Sequence, residues 1–151
     1  MRFSEIKNHK ESMGLLFWQV SMLWQRKIKK VLQAYDLTHT QFVILAVIEE
    51  LTEQDKTVTQ KNISDFSMID VMTVSSTVRL LAKKGLISRS QHETDTRANS
   101  IINTEMGKSL LSKAVKAVDK VDKTFFFDND ANKSLHSTLS ELLLKNQDTI
   151  Q

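Results

Sequence analysis

Residues 59–103 read TQKNISDFSMIDVMTVSSTVRLLAKKGLISRSQHETDTRANSIIN, and the punctuation of this run decides the fold. In TQKNISDF, Ile63 and Phe66 stand three apart on one helical face and Thr59 is placed to cap the start. Ser67, Met68 and Ile69 make a turn, after which Asp70 occupies an N-cap position. The next stretch carries Val71, Val74, Val78 and Leu81 at helical spacing until Gly85, which can take the left-handed conformation that ends a helix. The outline is a helix-turn-helix. Opposite its second apolar stripe fall Met72, Thr73, Ser75, Ser76, Arg79 and Lys83. Most are short hydroxyls or cations that reach base edges and phosphates, whereas an ordinary solvated face is richer in Glu and Lys. In the helix before it, Thr59, Gln60 and Lys61 lie at an N-terminus, which itself favours a phosphate. LISRSQ and ANSIINT read as two strands around the polar tip QHETDTRA. Arg97 at that tip is placed to enter a minor groove, with Asp95 holding the loop or the guanidinium in position.

Working outward, 151 residues suit a single domain with a core of reasonable size. No Pro and only three Gly point to a mainly helical chain. The net charge of +3 is too mild to name a nucleic acid as partner. Its distribution says more, because Arg79, Lys83, Lys84, Arg89 and Arg97 face only Glu93 and Asp95 over the proposed contact region. Absence of Cys excludes disulfides, thiolate metal sites and thiol redox switching. No phosphate loop, dinucleotide-binding turn, nucleophile elbow or zinc-protease motif occurs, so neither an enzyme nor a cofactor is expected. His9, His39, His92 and His136 are scattered without neighbouring ligands, so no metal is expected, and His39 reads as a surface residue. The polar start MRFSEIKNHKES and the short, interrupted run LLFWQVSMLW give neither a secretion signal nor a membrane span, which points to a cytoplasmic protein.

The first helix is expected over about residues 10–35. Its Met13, Leu16, Phe17, Val20, Leu23, Trp24, Ile28, Val31 and Leu32 cover more than the single stripe that packing on one core requires. The surplus implies a second partner. Thr38 and Gln41 form a capping box opening a helix that buries Phe42, Leu45, Ala46 and Ile48 or Val47, and a short strand is expected at Thr57 and Val58. Thr104 caps a long helix to about Phe126, with Leu111, Ala114, Val115, Val118, Val121 and Phe125 on one face and lysines on the other. Asp128 or Asp130 starts a last helix with Leu135, Leu139, Leu142 and Leu143 inward, bound for a partner subunit.

The run VSSTVRLLAKKGLISRSQHETDTRANSIINTEMGKSLL resembles the winged-helix core of the MarR (multiple antibiotic resistance regulator) transcription factors, in its recognition helix, KKGLI exit, D-x-R wing (Asp95, Arg97) and T-E-x-G sequence (Thr104, Glu105, Gly107). Upstream, the L-T-x-x-Q of Leu37, Thr38 and Gln41 resembles the opening of that family's second helix. The resemblance implies a winged helix-turn-helix over residues 36–103, with dimerisation helices at 1–35 and 104–151, an interface that would account for both Trp18 and Trp24. It also implies a homodimeric, sequence-specific regulator of double-stranded DNA, a palindromic operator, and repression relieved by a small aromatic effector. Phe17, Trp18, Met22 and Phe42 are candidates to line an effector pocket, though such residues at helical spacing are more often core. The alternative is a winged-helix architectural or anti-repressor protein that works through protein contacts or nonspecific DNA coating.

Overall fold

The computed structural model describes residues 12–91, 99–127 and 132–147. In chain order these form α1 (Met13–Leu32), a 3-10 turn (Gln33–Tyr35), α2 (His39–Glu53), α3 (Gln60–Ser67), α4 (Val71–Lys83), β1 (Ile87–Gln91), β2 (Asn99–Asn103), α5 (Glu105–Phe127) and α6 (Leu135–Gln147). The single long first helix expected to Tyr35 instead tightens at Gln33, and Asp36 reverses the chain at φ 52°. Its expected start at Lys10 lies outside the described residues.

Side-chain caps fix where α1, α2, α3 and α4 begin. Ser12 Oγ accepts from the Leu15 amide, Thr38 Oγ1 from Gln41, Thr59 Oγ1 from Asn62 and Asp70 Oδ1 from Thr73. Thr38 and Thr59 both close full capping boxes, because the Gln41 and Asn62 side chains accept in return from the threonine amides. Each cap satisfies amides that the helix cannot, which is worth about 1 kcal/mol.

The core lies where α2 is enclosed by its neighbours. Ile44, Leu45 and Ile48 are fully buried, with Ile63 from α3, Val74, Val78 and Leu81 from α4, and Ile101 from β2. Burial of each such side chain contributes about 1.5–3 kcal/mol. From the flanking helices, Ile28 and Leu32 of α1 and Leu111, Ala114 and Val118 of α5 are buried in this cluster, and Trp24, Leu110, Val115 and Val121 pack against it. α1 therefore has two halves, a rooted C-terminal one and an N-terminal one whose Met13, Leu16, Phe17 and Trp18 are exposed in the single chain.

Several expectations need correction. Phe66 does not join Ile63 in the core but is 52% exposed, because α3 has only two turns and Ile63 alone points at α2 and α4. Val71 is exposed too, lying one turn short of the covered part of α4. Thr57 and Val58 form no strand, since one bond from the Ile101 amide to the Val58 carbonyl (2.9 Å) does not make a ladder. Leu139, Leu142 and Leu143, expected to turn inward against a partner subunit, are exposed in the single chain, where α6 buries no residue. No single helix among the described residues is long and apolar enough to cross a membrane.

Candidate DNA-binding surface

The turn between α3 and α4 is held by its own hydroxyls. Met68 sits in the left-handed region (φ 67°), Ser64 Oγ donates to the Ile69 carbonyl at 2.6 Å, and the Ile69 amide donates to Ser67 Oγ at 3.1 Å. These bonds let the chain turn without proline or glycine. α4 then buries Val74, Thr77, Val78 and Leu81 against α2 and α3, which leaves Met72, Ser76, Arg79 and Lys83 exposed in a line along its outer side.

The sequence-derived candidates sort themselves by how their polar atoms are employed. Thr73 spends its hydroxyl hydrogen on Asp70 Oδ2 at 2.7 Å and Ser76 spends its own on the Thr73 carbonyl at 3.1 Å. Both keep lone pairs for an incoming donor. Ser75 is half-buried, and its carbonyl receives Arg79 Nε at 3.4 Å, which lays the guanidinium back along the helix. The cap bonds from the Thr73 amide and hydroxyl hold the Asp70 carboxyl below the usual carboxylate range. In α3, Thr59 is committed to its capping box and Gln60 is half-buried. Lys61 pairs with Asp65 at 3.0 Å, but both side chains are largely exposed and such a pair is weak enough to exchange for a phosphate. Arg79, Lys61 and Lys83 are thus the exposed cations of the helix pair.

The hairpin continues this surface. Its register pairs Ile87 with Asn103, Arg89 with Ile101 and Ser90 with Ser100. Ile87, Ile101 and Asn103 face inward, and Asn103 Nδ2 donates to the Leu45 carbonyl and to Glu49 Oε2, both at 3.0 Å, so the hairpin base is pinned to α2. The Ser90 and Ser100 hydroxyls meet across the strands at 2.7 Å. Asp95 and Arg97 lie outside the described residues, as does His92. Sequence reasoning passed over Asn103, since a buried side chain at a strand end carries no periodic signal.

Behind the helix pair, a cleft of about 650 Å³ opens between α1 and α2, lined among others by Met22, Arg26, Lys29, His39 and Lys84. Of the four residues considered for a pocket, Met22 alone lines this cleft; Phe42 belongs to the core, and Phe17 and Trp18 are exposed. Lys84 Nζ donates to the Asp36 carbonyl at 2.7 Å and to Gln41 Oε1 at 3.3 Å, joining the C-cap of α4 to the loop before α2. At the same junction Trp24 Nε1 donates to Asp122 Oδ1 at 2.8 Å and meets the His39 ring edge-on at 5.1 Å. Trp24 is therefore a contact within the chain, unlike Trp18, and His39 is half-buried rather than a surface residue. Among the described residues no three His, Cys, Asp or Glu side chains gather as a metal site would need.

The sequence model of the MarR family matches residues 37–98. A curated relative, the uncharacterized HTH-type transcriptional regulator YdcH of Bacillus subtilis, is 39% identical over 140 residues, covering 93% of this chain and 95% of its own. The chain belongs to the MarR family. It is a DNA-binding transcriptional regulator of winged-helix fold. Solved MarR-like structures agree in fold. The S. aureus MepR–DNA complex superposes with TM-score 0.77 at 23% identity, covering 91% of this chain and 99% of that one. CouR from Rhodococcus jostii RHA1, bound to p-coumaroyl-CoA, gives TM-score 0.78 at 21% identity, covering 91% and 94%. The family is one of transcriptional regulators rather than enzymes.

Proposed function

We propose that this MarR-family chain is a homodimeric repressor that binds a roughly palindromic operator in double-stranded DNA and is released by a small anionic effector. The observation that carries the DNA reading is the exposed line Ser76, Arg79 and Lys83, backed by a fully buried stripe on the opposite side of the same helix. That arrangement presents α4 to a major groove as a rigid unit. Thr59, Gln60 and Lys61 would meet the flanking backbone, Thr73 and Ser75 would stand beside the exposed line, and Asp95 and Arg97 of the wing would address the adjacent minor groove. MepR is a relative in fold that was solved on DNA. Two-fold symmetry sets the half-sites about one helical turn apart, on the order of 34 Å.

The dimer reading is supported by apolar residues that the single chain leaves uncovered, Phe17 and Trp18 on α1 and Leu139, Leu142 and Leu143 on α6. The effector reading is supported by the cleft between α1 and α2, which Arg26, Lys29 and Lys84 line together with Met22 and Leu37. CouR holds a bound acyl-CoA. An anion in the cleft would compete with Asp36 and Gln41 for the Lys84 ammonium at the end of α4, and so bind differently when that helix shifts.

The deciding experiment is selection of bound sequences from random duplex DNA, followed by salt titration of the winner with wild-type and Arg97→Ala protein. The expected result is a palindrome, bound more weakly by the variant and with a salt slope reduced by about one. Unchanged salt dependence in Arg97→Ala would sink the wing assignment. Binding without sequence preference would favour the architectural protein instead.

A further inference from the structure

We infer that Met72 reads sequence: its side chain packs on the 5-methyl group of a thymine in the major groove, so that each half-site carries a thymine facing the start of α4. The inference rests on the DNA-binding reading above and adds to it a contact that none of the polar candidates supplies. Met72 is the second residue of α4 and, at 80% exposure, more exposed than the other large apolar side chains among the described residues. An exposed apolar residue means little by itself. Its position gives it meaning, because Met72 begins the line that continues through Ser76, Arg79 and Lys83 at steps of one helical turn.

That line has a polarity. Its cations stand in the C-terminal half, whereas its first turn is uncharged apart from the capping Asp70. A carboxylate at the cap repels phosphate, so the start of the helix is directed at base edges while Arg79 and Lys83 take the backbone. Within that first turn the hydroxyl of Thr73 donates to Asp70, and in the next turn the hydroxyl of Ser76 donates back to the helix, which leaves both as acceptors. Met72 is then the long side chain there that needs no hydrogen-bond partner. The one apolar group a base pair presents in the major groove is the thymine methyl. An unbranched thioether, soft and able to change rotamer, suits a contact whose distance depends on groove width.

The test uses the full chain and the duplex recovered by sequence selection. Each thymine is replaced in turn by deoxyuridine, which removes the methyl group and leaves the pairing edge intact. In each half-site one such replacement is expected to weaken wild-type binding about three- to fivefold, the effect of one buried methyl group. Met72→Ala is expected to lose about the same factor on the thymine duplex and to be indifferent to the replacement. Met72→Leu should keep the sensitivity. All three proteins should melt alike, since the side chain supports nothing in the fold. A selected duplex on which uracil has no effect anywhere overturns the inference while leaving the DNA reading intact. So does a Met72→Ala protein that stays as uracil-sensitive as the wild type. Failure to select any sequence brings down the DNA reading and the inference together.

Discussion

At Gly107 a hydrogen stands where any other side chain would collide. A Cβ there would come within 2.0 Å of the Leu86 carbonyl oxygen, which is backbone and cannot step aside. Thr104 tightens the same corner, its hydroxyl donating to the Gly85 carbonyl at 2.7 Å and accepting from the Gly107 amide at 3.1 Å. Gly107→Ala should therefore destabilise the protein by about 1–3 kcal/mol through overpacking, although alanine is the better helix former. Urea unfolding measures it, and a midpoint equal to or above wild type would show that α5 can lift off the hairpin freely. Gly107 could be read in the sequence as part of a T-E-x-G pattern. Its necessity could not, because Leu86 is remote in sequence. Gly85 is the opposite case, as its φ of +77° was legible from its place just after a helical run.

Among the elements, the joint of α1, α2 and α5 carries a titratable group. His39 is half-buried against Trp24, and loss of water lowers its pKa while the nearby Asp122 carboxylate partly opposes the shift. A histidine whose folded pKa is depressed costs nothing above its unfolded value of about 6.5. Below that the unfolded chain takes up the proton more readily, so stability falls as pH drops toward the folded pKa. Urea midpoints measured from pH 8 to 5 should accordingly decline more in wild type than in His39→Phe. Parallel slopes would assign the decline to other groups. The joint was the least legible part of the chain. The apolar residues of α1 exceed one stripe, but the pattern could not say which residue goes where. Trp24 belongs to this joint only because Asp122 and Phe126 of α5 come alongside it.

For the molecule as a whole, one chain covers the winged helix and leaves the flanking helices half bare. Leu142 and Leu143 sit exposed on α6, which buries no residue of its own. If a second copy covers them, Leu142→Glu should shift sedimentation from dimer to monomer and lower operator affinity about a hundredfold by losing the paired half-site. A variant that stays dimeric would place the interface elsewhere. What the sequence by itself determined was local: helix starts at Thr38, Thr59, Asp70 and Thr104, the stop at Gly85, the strands, and the outward line of α4. Those features depend on residues within a turn or two of one another, where spacing and side-chain chemistry suffice. Only the tertiary structure decided that Phe66 and Val71 face solvent, that Val58 gives the hairpin a single bond rather than a strand, that Asn103 locks the hairpin to α2, and that Lys84 ties the end of α4 to Asp36. Each depends on which distant segment arrives beside the residue, and that is set by packing of the whole core.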